Sequence, residues 1–423
     1  MEAKFSSLLR SVLETKAKEL RDVSKFLWEN PETALRETKA HDKLCEFLEG
    51  QGFRVRRHYY MDTAFRAEYG APGGTNGPTV AVMAEYDALP SIGHGCGHNL
   101  VAQSALGVAV TVKQAMDKFT HLKGKIVVLG TPAEEDKVGK ITLLEKGAFD
   151  DIDVAMMAHP GSQDVLRMEF SSSQKVRDFR DLTVTYTGKA AHSAASPWEG
   201  VNAADAAVSA YLGLVLLRRR IRDTDSILAL IKDCGQYPNV IAESSQLVCS
   251  VLTPEPEDEL DTLQARAERC LAAAAHATGC KATIARGRRC RLFAHNDALV
   301  RAYMTHGKAM GVPFVDMDRT YPVYARRTCD SANVSQEVPT LLPQFAIGPV
   351  EASHSREFAR VAGSEEAQAS TRRVSLLLAL TALDVFADPQ LLSDARKDLR
   401  KWKAARQPRC TCPSVGESNL KAN

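Results

Sequence analysis

Residues 79–99 read TVAVMAEYDALPSIGHGCGHN. Thr79 to Ala84 form a short, unbroken apolar run. A strand buried on both faces reads this way, whereas a strand with one wet face alternates. Chemistry-bearing residues begin where the run stops: Glu85 and Asp87, then His94, Cys96 and His98. Glycines 93, 95 and 97 alternate with the last three. Glycine lets a backbone wrap closely around a ligand, and in an extended backbone residues two apart share a face. His94, Cys96 and His98 are therefore expected to point the same way. Imidazole and thiolate suit zinc and its neighbours. From spacing alone, a turn with incidental His and Cys stays open.

The same pattern recurs downstream. KIVVLGTPAEE (125–135) is a second buried strand that ends in Glu134 and Glu135, and DVAMMAHP (153–160) is a third that ends in His159. An Ala/Val-rich helix over 100–118 and a helix over 137–147 separate the three. Such alternation predicts an α/β fold with a mainly parallel sheet flanked by helices. Open sheets of this kind bind ligands at the carboxyl ends of their strands. Of two adjacent carboxylates, one can hold a metal while the other takes a proton from water. Taken alone, Glu134-Glu135 reads as a solvated helix N-terminus, where acids are favoured, and His159 as a structural histidine. Their shared place at strand ends points to a site. Upstream, amphipathic helices are predicted over 4–28, stopped by Asn30-Pro31, and over 36–51, with short strands at 53–59 and 64–69.

Near residue 180 the rhythm changes. Strands at 181–188, 226–234, 246–254 and 281–288 alternate with helices at 201–218 and 257–278 in the order β-α-β-β-α-β, which predicts a ferredoxin-like α+β domain. A helix over 297–310, a loop bearing Cys329 and Asp330, a strand ending near Gly348 and a helix over 364–386 then resume the first domain. The expected organisation is a discontinuous domain, 1–179 and 292–390, with 180–291 inserted and a flexible polar tail over 391–423. In GKAAHSAASPWEG (188–200), His192 sits among small residues. It reads as a plain loop histidine or as an electrophile for an oxyanion.

Composition sets the outer limits. A chain of 423 residues exceeds one ordinary core, which favours two domains. The net charge of +2, from 54 Lys+Arg against 52 Asp+Glu, gives no reason to expect nucleic acid or an anionic membrane as partner. The first residues lack the apolar core of a signal peptide, and no run approaches the ~20 apolar residues of a span. A soluble cytoplasmic protein is expected. Its 10 cysteines are scattered, as for reduced thiols, and the pair Cys410 and Cys412 reads as part of a solvated tail.

AEYDALP (84–90) followed by GHGCGHN (93–99) resembles the metal-binding motifs of the aminoacylase/carboxypeptidase-type dimetal amidohydrolases, a metallopeptidase family. TPAEED (131–136), AHPG (158–161), GKAAHSAASPWEGVNAADA (188–206), PNVI (238–241) and DSANVS (330–335) follow in that family's order. The likeness runs over nearly the whole chain and is greatest to the branch of aminobenzoyl-glutamate and auxin-conjugate amidohydrolases. It implies two divalent metal ions per chain, zinc by ligand type, with manganese or cobalt able to replace it. Cys96, His98, Glu135, His159 and His354 correspond to the ligands, with Cys96 bridging. Glu134 corresponds to the general base and Asp87 to a carboxylate that orients a ligand. His192 corresponds to a histidine that reaches the partner's site in a homodimer, and Asn239 to a residue near the substrate carboxylate. The inserted domain would be the lid and the dimerisation surface. The implied reaction is hydrolysis of an amide next to a free carboxylate, in a dipeptide or N-acyl amino acid, with a basic C-terminal residue (Lys, Arg or ornithine) preferred.

Three departures support an alternative, a non-catalytic or substrate-altered binding homologue of the same fold. Leu252 stands where relatives commonly carry an Arg that can pair with the substrate carboxylate. Ala242 replaces the usual Pro after PNVI. Thr328-Cys329-Asp330 departs from a Gly/Ser/Thr-rich loop. The intact Glu134 argues against a pure binder. Adjacent carboxylates argue against a closed structural zinc site.

Overall fold

A computed structural model describes residues 2–72, 76–135, 139–162, 164, 178–254, 257–314, 329–348 and 353–406. Two helices, α1 (Glu2–Thr15) and α2 (Ala17–Glu29), stand where one was expected over 4–28. They meet at Lys16, whose φ of −91° and ψ of 0° interrupt the helix. Leu9, Leu13, Leu20, Val23 and Leu27 from the two helices share one core.

The larger sheet is built from β1 (Arg54–Arg57), β2 (Phe65–Gly70), β3 (Thr79–Ala84), β4 (Lys125–Gly130), β5 (Val154–Met156) and β11 (Thr340–Leu341), in the order β1-β2-β4-β3-β5-β11. β3 lies parallel to β4 and β5, and β5 to β11. Only β2 runs against the rest, pairing antiparallel with both β1 and β4 near one edge. All of β3 is buried, as its unbroken apolar run requires. Helices α3 (Thr38–Gly50), α4 (His98–Lys118) and α5 (Gly139–Glu145) flank the sheet. α4 is buried on nearly every side, between β3 and helices α1 and α2.

The strand expected over 153–160 is split. β5 stays in the large sheet, while β6 (His159–Gly161) pairs with β12 (Gln344–Ala346) in a separate two-stranded ladder. The break falls between β11 and β12 at Pro343, which has no amide to donate to a ladder. The step moves His159 off the large sheet.

The inserted segment carries β7 (Asp178–Thr187), α6 (Ala203–Arg218), β8 (Ser226–Asp233), β9 (Ser244–Thr253), α7 (Glu257–Thr278) and β10 (Lys281–Cys290). Its antiparallel sheet has the order β10-β7-β9-β8, with both helices packed on its strands around Leu182, Val184, Leu247, Val251, Leu260 and Leu271. This is the ferredoxin-like arrangement. Afterwards come α8 (Asp297–Ala309), α9 (Ser331–Ser335), α10 (Arg356–Ala362), α11 (Glu365–Ala387) and α12 (Pro389–Ala404). The tail expected to be flexible over 391–423 is thus helical up to Ala404. Asp388 accepts from the Gln390 amide at its start, Pro389 opens its first turn, and Ala395 and Leu399 are buried. Cys410 and Cys412, like Thr328, lie outside the described residues. Among the described residues no single helix is long and apolar enough to cross a membrane.

Candidate metal and active site

The site forms where β3 and β4 end. Asp87, just past β3, is buried and reaches two ways. Its Oδ1 lies 3.0 Å from His98 Nδ1, and its Oδ2 accepts the Glu135 amide at 2.9 Å. One carboxylate therefore orients a histidine from the start of α4 and the backbone after β4. Burial opposes its ionised form, but the His98 charge and these donors outweigh it and hold its carboxyl below the usual range.

The Gly-rich loop is a tight turn and not an extended segment. Gly93 (φ 74°) and Gly97 (φ 76°) are left-handed, and the Gly97 amide donates to the His94 carbonyl at 3.0 Å. At Gly97 any Cβ would stand 2.6 Å from Pro160 Cγ. The turn separates the three side chains that spacing placed on one face. Cys96 and His98 enter the site. His94 points away, its Nε2 donating to the Leu27 carbonyl at 3.0 Å, and burial pushes its pKa down to about 4.

Two ligand triads meet at Cys96. Cys96, His98 and His159 form one, and Cys96, Glu135 and His354 the other; within each, ligand atoms lie within 4.8 Å of one another. Cys96 belongs to both. Sγ of Cys96 is 3.4 Å from His159 Nε2, and His354 Nε2 is 3.4 Å from Glu135 Oε2. Burial pushes the Cys96 thiol up to about 12; a bound cation would reverse that preference. The donor set suits a metal. His98 Nε2 and Glu135 Oε1 are buried without a hydrogen-bond partner, a costly state that a cation relieves. The cluster is graded in exposure: Cys96 and His98 are buried, His159 is half-buried and His354 is exposed. It opens towards solvent on the His354 side.

Glu134 joins His98 and Glu135 in a third close group. It is buried, and burial together with Glu85 and Asp330 pushes its pKa well up. That is how a carboxylate is made basic enough to accept a proton. Behind it lies a cluster that the sequence did not reveal. The fully buried Lys140 Nζ sits 2.6 Å from Glu85 Oε1 and 2.6 Å from Asp330 Oδ1. The Lys140 amide also donates to Asp330 Oδ2 at 2.9 Å. Burial works against the ammonium, but Asp330 and Glu85 outweigh it and keep it charged. Glu85, Glu134, Cys329 and Asp330 could otherwise hold a cation among themselves; Lys140 already supplies that charge. Its one sequence signal was a lysine near the start of an otherwise buried helix.

The structure does not join the inserted domain's residues to this cluster. His192 and Asn239 are exposed, and among the described residues no hydrogen bond or ion pair links either to the ligands. They do neighbour each other: the Ser193 amide donates to the Asn239 carbonyl at 3.1 Å. The amides of Ala194 and Ala195 donate to His192 Nδ1 at 3.2 and 3.1 Å. A neutral His192 therefore carries its proton on Nε2, facing outward. Leu252 is buried with Ile141, Phe179 and Cys290 in a small apolar cluster where the inserted domain meets the body.

The profile of peptidase family M20/M25/M40 matches residues 81–373. The chain belongs to this family. It is 40% identical over 399 residues to Xaa-Arg dipeptidase of Mus musculus, covering 91% of this chain and 89% of the relative. Identity to the Homo sapiens Xaa-Arg dipeptidase is also 40%, with the same coverage. Among solved structures of the M20 family, a Bacillus subtilis protein described as a dinuclear metal binding peptidase superposes with a TM-score of 0.62 at 17% identity. That match covers 88% of this chain and 99% of the other, and at that identity it speaks for the fold.

Proposed function

We propose that this M20 protein is a dinuclear-metal dipeptidase that hydrolyses the amide next to a free carboxylate and prefers a basic C-terminal residue: Lys, Arg or ornithine. One observation carries the reading: two ligand triads share the buried Cys96, with the carboxylate Glu134 beside them. The substrate preference rests on the likeness to Xaa-Arg dipeptidases. Cys96, His98, Glu135, His159 and His354 would hold the ions, zinc by donor chemistry, with manganese or cobalt as substitutes. When bound, the ions supply Lewis acidity to the scissile carbonyl and acidify a water.

The chain's own residues do the rest. Asp87 fixes His98 and the Glu135 backbone. Glu134, poised high by burial and its acidic neighbours, accepts the proton of the attacking water and returns it to the leaving amine. His192, its proton held on Nε2, donates to the developing oxyanion. Closure of the inserted domain would bring His192 and Asn239 to the substrate and exclude water.

A homodimer fits the surface of that domain. Val208, Leu212 and Leu216 line one exposed stripe of α6, and Leu228 and Leu230 are exposed on β8, at the sheet edge. Apolar stripes and open edges of this kind mark association surfaces. The described cysteines are free thiols, which suits a reducing cytoplasm. The non-catalytic alternative loses weight at Leu252, whose side chain is part of a packed contact, and at the retained Glu134.

The test is amine release from β-Ala-Lys, β-Ala-Arg, Ala-Lys, γ-aminobutyryl-Lys and an acetyl-amino acid by metal-reconstituted protein. Glu134→Gln should bind the same metal, measured by elemental analysis, and lose roughly 10²–10⁴-fold in kcat. Equal turnover by the two proteins, or none by wild type holding two ions, would refute the reading.

A further inference from the structure

Among the non-glycine residues with a left-handed backbone are Leu35 at φ 63° and Ala133, next to Glu134, at φ 60°. Side chains other than glycine are disfavoured there, and such residues persist only where neighbours impose the conformation. Both amides donate to the same atom. Glu37 Oε1 accepts from Leu35 N at 3.0 Å and from Ala133 N at 2.9 Å. Its other oxygen accepts the Thr63 hydroxyl at 2.8 Å. Glu37 itself is fully buried. A carboxylate from the segment before α3 thus pins the residue that immediately precedes Glu134.

We propose that Glu37 is a positioning residue for the general base: it holds Ala133 in its left-handed turn and so aims the Glu134 carboxylate at the ligand cluster. The two carboxylates after β4 are anchored separately. Glu135 is fixed through its own amide by Asp87. The turn that presents Glu134 is fixed through Ala133 by Glu37. Without Glu37 the Ala133 amide would be buried and unpaired, and its φ would lose the one bond made through its own amide. The backbone would relax to an ordinary φ and swing Glu134 aside, while Asp87 still held Glu135. The base should be displaced with the metal retained.

The inference rests on the reading of Glu134 as the base, so wild type and Glu134→Gln are assayed alongside on β-Ala-Lys. Glu37→Ala should lower kcat by about 10²-fold, the usual cost of an ångström-scale misplacement, with KM and metal content unchanged. The Ala133 amide should also exchange its hydrogen faster. Glu37→Gln keeps an oxygen for both amides and can donate to Thr63, so it should stay within about fivefold of wild type. If Glu37→Ala does not fold, Glu37→Asp carries the test. Its shorter carboxylate cannot span all three donors, and kcat should fall by about tenfold while Glu37→Gln stays active. The proposal is overturned if the Ala or Asp variant keeps wild-type kcat, if Gln loses as much as they do, or if activity falls only in step with lost metal. An active Glu134→Gln would instead overturn the reading beneath it.

Discussion

The ends of the larger sheet and the face of the inserted domain treat their functional groups in opposite ways. At the larger sheet Glu85, Asp87, His98, Lys140 and Asp330 are all buried, and each is held by a named partner a few ångströms away. On the inserted domain His192 and Asn239 are exposed, and so are apolar side chains of α6 and β8. The first region is preorganised within one chain. In the second, Leu182 and Leu247 belong to the buried packing, and the outward face keeps apolar side chains exposed. Catalytic power that depends on fixed charges belongs in the first kind of place. Closure and partner contact belong in the second.

The sharpest way to break this contrast is Lys140→Met. It leaves Glu85 and Asp330 buried without their cation, and removing one partner of a buried ion pair costs about 3–5 kcal/mol. Urea unfolding of the metal-free protein should show a loss of that size. Replacing all three together, as Glu85→Gln, Lys140→Met and Asp330→Asn, should cost far less than the single change, because no charge is then left uncompensated. If Lys140→Met is as stable as wild type, the strand ends are not the rigid region described above.

The inserted domain should answer differently. Leu212→Glu with Leu230→Lys alters side chains that are 55% and 64% exposed, so the fold of one chain should lose less than about 1 kcal/mol. Sedimentation should nevertheless show a shift from dimer to monomer. If His192 acts in the partner's site, kcat should fall with it. An unchanged dimer would move the association surface elsewhere; a monomer with full activity would make His192 act within its own chain.

These two regions also differ in how much of them could be read from the sequence. The run from Thr79 to Ala84, the glycines around Cys96, and the strand-end positions of Glu134 and His159 are short-range features, so apolar period and spacing exposed them. The β-α-β-β-α-β order was legible for the same reason. What escaped notice depends on neighbours distant in the chain. Lys140 meets Asp330 from 190 positions away in the chain. Glu37 meets Ala133 from 96 positions away. His94 looked like a ligand until the Gly93 and Gly97 turns sent it to Leu27. The apolar run over 153–160 gave no sign that its partner strand would break at Pro343 and split it between two ladders. The helix at Pro389–Ala404 was hidden by its charge, since only Ala395 and Leu399 are buried.

The smallest effect expected tests the buried region through pH. Burial, reinforced by Asp87 and opposed by its own hydrogen bonds, raises the pKa of Glu37 from 4.5 to about 7. A folded-state pKa above the unfolded value means that the folded protein binds the extra proton. The associated stability is complete below about pH 4.5 and is lost as pH rises through about 7. Glu37→Gln fixes the neutral form. It should therefore melt a few degrees above wild type at pH 8, and the gap should close towards pH 5. Melting curves of the metal-free proteins at both pH values measure this. The expected combination is a variant that is steadier at pH 8 yet slightly slower in turnover, because Gln keeps the hydrogen bonds to Leu35 and Ala133 but not the charge that strengthens them. A gap of the opposite sign at pH 8 would mean that the carboxylate is stabilised in its ionised form by those three donors. Glu37 would then belong with Lys140 and Asp87 among the fixed charges of the larger sheet.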